Sequence, residues 1–217
     1  MFAVIFEVQP REGHFDEYLD LAKYLKPKLE AIDGFVDNER FASQSTQGKI
    51  LSLSIWRNDL AVARWRAQSE HHTVQHKGRG EVFADYHLRV GEVTFDTAPP
   101  AGLTVAQQRF DTTEAGAAKL VTISEVVVDP AAPEAIRLAQ RLVQEPTSGA
   151  PSEHEVFESI TNPGKLLLLA SWQDADAGER WDPQPSGIKS FRHRRVRIVR
   201  DYGMFDRREA PQFHPPV

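Results

Sequence analysis

An internal repeat constrains this chain more than any other feature. The segment 41–65 aligns without gaps on 157–181, with identities at Phe41/Phe157, Ser43/Ser159, Gly48/Gly164, Lys49/Lys165, Leu51/Leu167, Leu53/Leu169, Trp56/Trp172, Ala61/Ala177, Arg64/Arg180 and Trp65/Trp181. Two paired tryptophans make coincidence a poor explanation. Upstream, Glu7-Val8 recurs as Glu125-Val126, and downstream His-x-Arg-Val recurs as His87 to Val90 and His193 to Val196. A repeat of about 100 residues divides the 217 residues into two small domains rather than one large one. The expected domains are 1–97 and 118–204. Residues 98–117, rich in Ala, Pro, Thr and Gly, read as a linker in which Leu103 to Phe110 has the composition of a short extra strand, and 205–217 read as a C-terminal tail.

Each half follows the order strand, helix, strand, strand, helix, strand. In the first, Phe2 to Val8 is rich in β-branched and aromatic residues and suits a strand. Phe15, Tyr18, Leu19, Ala22, Leu25, Leu29 and Ile32 recur at helical spacing, with Pro27 expected to kink or break that helix. Asp33-Gly34 is a stop, Phe35 to Ser43 a second strand, Gln47-Gly48 a tight turn and Lys49 to Trp56 a third strand. Asn58 or Asp59 can cap a helix running to about Lys77, which Gly78 and Gly80 end, and Ala84 to Phe95 is the last strand. In the second half Leu120 to Val128, Glu155 to Ile160, Lys165 to Trp172 and Ser190 to Val199 read as strands, while Trp181-Asp182-Pro183-Gln184-Pro185 stops the second helix after about two turns. The expected class is therefore α+β: two tandem ferredoxin-like βαββαβ domains, each an antiparallel sheet with helices on one face. The bare face of each sheet needs cover, and the other copy supplies it, sheet to sheet, as an intramolecular pseudo-dimer. A further homodimer of the intact chain is compatible with this arrangement.

Composition narrows the function classes. With 41% hydrophobic and 26% charged residues the chain is of ordinary globular make-up. A net charge of -5, with basic residues scattered, argues against nucleic acid as a partner. The one basic run, Arg192 to Arg200, alternates as a strand does. The absence of cysteine excludes disulfides, thiolate metal sites and a cysteine nucleophile. No stretch has the length of a membrane span and the N-terminus lacks a basic leader, so the expectation is a cytoplasmic protein with no membrane partner.

The chemically distinctive cluster runs from Trp65 to His76. Counted at about 100° per residue, a continuous helix puts Leu60, Ala63, Ala67, His71 and Val74 on the face toward the sheet, with Arg64 at its edge. Trp65, Ser69, His72 and His76 then lie on the opposite face. An imidazole at His71, beside the small Ala63 and Ala67, projects into the space between helix and sheet and is placed to act as a general base. The competing reading is a core histidine satisfied by a carbonyl or carboxylate. His72 and His76 have the spacing of a metal pair, but no third ligand accompanies them, so no metal is expected. Trp56 and Trp65 return as Trp172 and Trp181 in the copy without the histidine helix, which marks them as structural first.

Ile55-Trp56-Arg57-Asn58-Asp59, Ala63-Arg64-Trp65-Arg66, Ser69-Glu70-His71, Gln75, Gly78-Arg79 and Asp85-Tyr86-His87-Leu88-Arg89-Val90 together resemble the antibiotic biosynthesis monooxygenase (ABM) family, over residues 1–97. Gly164 to Trp172, Trp181 and the last strand carry the resemblance in the second, degenerate copy. It implies the dimeric α+β barrel fold. The family's cofactor-free members imply oxidation of a small aromatic of hydroquinone, phenol or anthrone type by dioxygen, needing only an apolar pocket, a base and donors for the oxyanion. On that pattern His71 is the base, Arg64 and Trp65 act with it, and Trp56, His87, Arg89 and His76 contact the substrate. The heme-degrading members imply the alternative of a heme cofactor, with an Asn on the first strand, a Trp on the second helix and a His ten residues later. Here Glu7 and Val8 stand in place of the Asn, Trp65 matches, and the tenth residue after it is Gln75, with His76 one step on. A third alternative is a non-catalytic barrel that binds a small molecule.

Overall fold

Alternation in the first strand organises the molecule. In β1 (Phe2–Pro10) Ala3 and Ile5 enter one core, whereas Phe2 and Val8 enter two others on the opposite face. A strand buried on both faces needs apolar residues at nearly every position, which explains its unbroken hydrophobic run. The computed structural model describes residues 1–128, 150–185 and 188–211. The other strands are β2 (Phe35–Ser43), β3 (Ile50–Trp56), β4 (Phe83–Asp96), β5 (Leu120–Val127), β6 (Glu153–Ser159), β7 (Lys165–Trp172) and β8 (Ser190–Gly203). They close into one antiparallel barrel in the order β1-β3-β2-β6-β7-β5-β8-β4. The class is α+β, as expected.

The closure is more intimate than two sheets facing each other. β2 pairs with β6, placing Phe41 opposite Ser159, and β4 pairs with β8, placing Val93 opposite Val196. These ladders satisfy the edge groups that each four-stranded half exposes. Ile5, Phe41, Leu53, Val93, Ile123, Phe157, Leu169 and Val196 fill the interior. The β4–β8 seam is tight at Gly91, where a Cβ would lie 2.6 Å from the Arg197 carbonyl oxygen. A side chain there would force the strands apart.

One end of the interior is ionic. Lys49 Nζ lies 2.7 Å from Glu7 and 2.6 Å from Glu155, and Lys165 lies 3.0 Å from Glu125 and is paired also with Glu39. Arg89 pairs with Glu7, and Arg194 with Glu125. The repeated Gly-Lys of the two turns thus supplies matched cations that cross between the halves. The same register corrects the downstream repeat. Glu7 faces His87 and Glu125 faces Arg192, so Arg89 corresponds to Arg194, and His193 occupies the place of Leu88. His-x-Arg-Val aligns the letters one position away from the inward-facing residues.

The helices lie outside the barrel. α1 (Phe15–Glu30) buries Tyr18, Ala22, Leu25 and Leu29 and runs on through Pro27 to Glu30, where only its final turn follows the proline. The expected continuous second helix is two helices, α2 (Asp59–Ala67) and α3 (Ser69–Lys77). Gln68 between them is extended, with ψ 127. Asn58 Oδ1 accepts from Ala61 N at 2.9 Å to cap α2, and Gln68 Oε1 accepts from His71 N at 2.9 Å to cap α3. A π-helical turn, Gly78–Val82, leads into β4. In the second half α4 (Ala175–Arg180) has six residues and gives way to extended chain at Trp181. The helix expected between β5 and β6 falls on residues outside the described ones. Leu103 and Val105 pack against the barrel core, yet Leu103 to Phe110 forms no strand, because the closed barrel offers no edge for one.

Candidate functional site

The outer face of the first-half sheet and the helices above it enclose a cavity of about 780 Å³. Its floor is Phe2, Val4 and Phe6 of β1 with Leu88 and Val90 of β4, and α1 contributes Leu21 and Leu25. Alternation in β1 is the local cause: the residues turned away from the barrel core line the cavity. The corresponding face of the second half is filled by Leu120, Val126, Leu168, Trp172 and Trp181, with Phe191 packed on them.

The break at Gln68 sets how α3 meets the cavity. His71, Val62, Ala63 and Val74 line it, and so do Trp65 and His72, which the helical count places on the opposite face. Leu60, expected to face the sheet, is 54% exposed. The His71 ring stacks on the Trp65 indole with centroids 4.1 Å apart and an interplanar angle of 18°. Its Nδ1 is 3.0 Å from the Trp65 carbonyl oxygen, a group that only accepts, so Nδ1 carries the hydrogen. Burial lowers the His71 pKa to about 4, against a smaller upward pull from that hydrogen bond. At neutral pH the ring is therefore uncharged, with its lone pair on Nε2.

Phenols and arginines also line the cavity. Burial raises Tyr202 to about 12 and raises Tyr18 as well, so both are neutral donors. Tyr86 accepts a hydrogen bond from Arg207. Arg40, Arg66 and Arg200 also line the cavity. The composition offered no signal for Tyr18, Tyr202 or Arg40, because nothing in a linear pattern says that β2, β8 and α1 converge.

Other expected site residues lie elsewhere. Arg64 is turned outward and pairs with Asp33 at 3.0 Å. Trp56 is fully buried in the core beside Phe35, its Nε1 donating to Ser54 Oγ at 2.9 Å. Arg89 is 2% exposed inside the barrel, paired with Glu7 and donating to Ser171 Oγ at 2.7 Å. It faces inward because it sits opposite Ile5, on the barrel side of β1. His87 is 2.6 Å from Asp201 and lines a separate, smaller depression with Ala115 and Phe205. His76 is exposed on α3 and does not line the cavity, whereas Gln75 does. The described residues hold no group of three or more His, Cys, Asp or Glu arranged around a metal. No helix among them is long and apolar enough to cross a membrane.

A closed α+β barrel with a histidine-bearing cavity on its outer face defines the class of protein. Comparison with known proteins makes that specific: residues 1–77 match the antibiotic biosynthesis monooxygenase family. The chain is 41% identical over 221 residues to the jasmonate monooxygenase ABM of Pyricularia oryzae, covering 100% of both chains. It belongs to the antibiotic biosynthesis monooxygenase family. Among solved structures, an anthrone oxidase-like protein is 12% identical with a TM-score of 0.38, covering 97% of this chain and 96% of that one. An antibiotic biosynthesis monooxygenase is 17% identical with a TM-score of 0.39, covering 46% and 100%.

Proposed function

We propose that the chain is a cofactor-independent monooxygenase that oxidises a small, largely apolar molecule with dioxygen in the cavity under α1, α2 and α3. The observation that carries this reading is His71: a neutral imidazole, held by the Trp65 carbonyl and indole, on the wall of an apolar cavity. For a phenol or anthrone, Nε2 takes the acidic proton and leaves an electron-rich anion. Carbon then forms a bond to dioxygen, giving a peroxide that takes the proton back. Cleavage of the O–O bond with loss of the carbon-bound hydrogen leaves a carbonyl and one water. A CH₂ and O₂ become C=O and H₂O, so the substrate supplies every electron. Tyr202 and Tyr18 are neutral donors suited to the developing oxyanion.

Heme fits less well. The cavity residue ten positions after Trp65 is Gln75, an amide, while His76 is exposed. One comparison favours a second substrate class, since the Pyricularia relative is named for jasmonate, a carboxylic acid with an apolar body. Inserting one oxygen atom into a C–H bond of such a molecule requires two electrons from an outside reductant. We also take the halves to be ferredoxin-like units, 1–97 and 118–204, of which the second completes the barrel.

Oxygen uptake by the purified chain with anthrones and hydroquinones, with and without added reductant, tests the reading. Uptake without reductant that depends on His71 supports it. Binding with no uptake under either condition leaves a non-catalytic small-molecule barrel.

A further inference from the structure

The charge lining the cavity is one-sided. Among the described lining residues are the arginines Arg40, Arg66, Arg79, Arg109, Arg200 and Arg207, and a single carboxylate, Asp59. That carboxylate is already engaged, 3.4 Å from Arg109.

Arg40 is half-buried and differs from the arginines that have carboxylate partners. Its Nε is buried without a hydrogen-bond partner. The same is true of Nε in Arg89, Arg194, Arg195 and Arg197, but Arg89, Arg194 and Arg197 have a carboxylate on another nitrogen, Glu7, Glu125 and Glu92, and Arg195 donates to the Trp181 carbonyl and lies over the Phe95 ring. Arg40 makes no such ion pair among the described residues. It stands opposite Ser52 on the cavity side of β2 and acts, with Ser52, on the Tyr18 hydroxyl. Asn38 Nδ2 donates to Ser52 Oγ at 3.1 Å, so this corner of the cavity carries the neutral side chains of Asn38, Ser52 and Tyr18 beside Arg40. A half-buried guanidinium that faces a cavity, with its Nε out of water and no carboxylate beside it, is better satisfied when an anion from outside completes it. The planar fork of Arg matches a carboxylate, and Tyr18, its pKa raised by burial, keeps a proton to donate to the same group. Apolar walls of Phe6, Leu21 and Leu25 lead away from this point.

We propose that Arg40, with the Tyr18 hydroxyl, is the seat for the carboxylate of the substrate, so that the cavity selects apolar monocarboxylic acids over their neutral counterparts. This rests on the cavity being the substrate site, and it adds which end of the molecule is held and by what.

Calorimetric titration of the full chain with two matched pairs tests it: jasmonate against methyl jasmonate, and 1-naphthoate against methyl 1-naphthoate. Each acid should bind about 10- to 100-fold more tightly than its ester, the scale of a charge-assisted hydrogen-bonded pair. Arg40→Leu should bring acid and ester within about 2-fold of one another, by weakening the acid alone. Arg40→Lys should restore part of the preference, Tyr18→Phe should lower it a few-fold, and the surface change Arg64→Leu should leave it intact. Acids that bind no better than esters, or do not bind, overturn the proposal. So does an unchanged preference in Arg40→Leu of normal thermal midpoint. The oxygenase reading fails separately: His71→Ala should lose turnover while keeping the acid preference, and equal turnover in His71→Ala would sink that reading without touching this one.

Discussion

His71 and Trp65 are joined twice: their rings stack 4.1 Å apart, and His71 Nδ1 donates to the Trp65 carbonyl at 3.0 Å. The helix break at Gln68 makes this possible, because the first turn of α3 folds back over the last turn of α2. One residue fixes the tautomer and tilt of the other, and the remaining nitrogen is the only basic atom the ring can offer.

Replacing that ring separates chemistry from packing. His71→Ala should lower oxygen uptake by about 10²-fold or more, the usual scale for loss of a general base. The stability loss should be modest, about 1–2 kcal/mol, from one stacked pair and one neutral hydrogen bond. The Trp65 carbonyl stays satisfied, since it also accepts from Gln68 N at 3.2 Å. Urea midpoints and uptake rates on the same preparations, with Arg64→Ala as control, check both. A stability loss well above that range with unchanged uptake would make His71 a packing residue.

Acid should destabilise the fold through two histidines. Burial lowers the pKa of both His71 and His193 to about 4. A base with a depressed folded pKa binds fewer protons folded than unfolded between about 4 and 6.5, so its stabilising contribution is complete above 6.5 and falls as the pH drops toward 4. The shift corresponds to at most about 3 kcal/mol per histidine. Denaturant unfolding at pH 7 and pH 4.5 should show the loss, and His193→Phe should flatten part of the slope. A stability profile flat across that window would contradict the burial of both rings.

Arg89 belongs to the barrel and not to the cavity. Burial would raise the Glu7 pKa, but Arg89 and Lys49 together hold it below its usual value. Arg89→Met removes one partner of a buried pair and should cost about 3–5 kcal/mol. Ligand affinity per folded molecule should be unchanged, as calorimetry on the folded fraction would report. A selective loss of binding at constant thermal midpoint would return Arg89 to the substrate site.

Separately expressed halves, residues 1–97 and 118–217, should be insoluble or should associate. Each would expose the edges that β2–β6 and β4–β8 now pair, along with Lys49 and Lys165 stripped of Glu155 and Glu39. Co-expression and size-exclusion chromatography decide it. Two stable monomers indifferent to each other would show that each half folds without its partner.

The local order of elements was legible in the residues themselves. Strand alternation, the stops at Gly34 and Gly48 and the apolar stripe of α1 are short-range signals, and the gapless repeat announced a chain built twice. That the cluster from Trp65 to His76 held the distinctive chemistry followed from residue type alone. The direction each of its side chains takes did not. The extended residue at Gln68 re-aims α3, so that His72 and Gln75 reach the cavity while His76 faces out, and how α2 seats on the barrel, with Trp65 inward and Leu60 exposed, is settled by tertiary packing. Nor does the sequence say that Arg89 points into the barrel or that Arg40 and Tyr18 meet beneath α1. Periodicity records which residues share a face of one element. Which faces meet, and which charges then lack a partner, depends on the long-range strand pairing that closes the barrel.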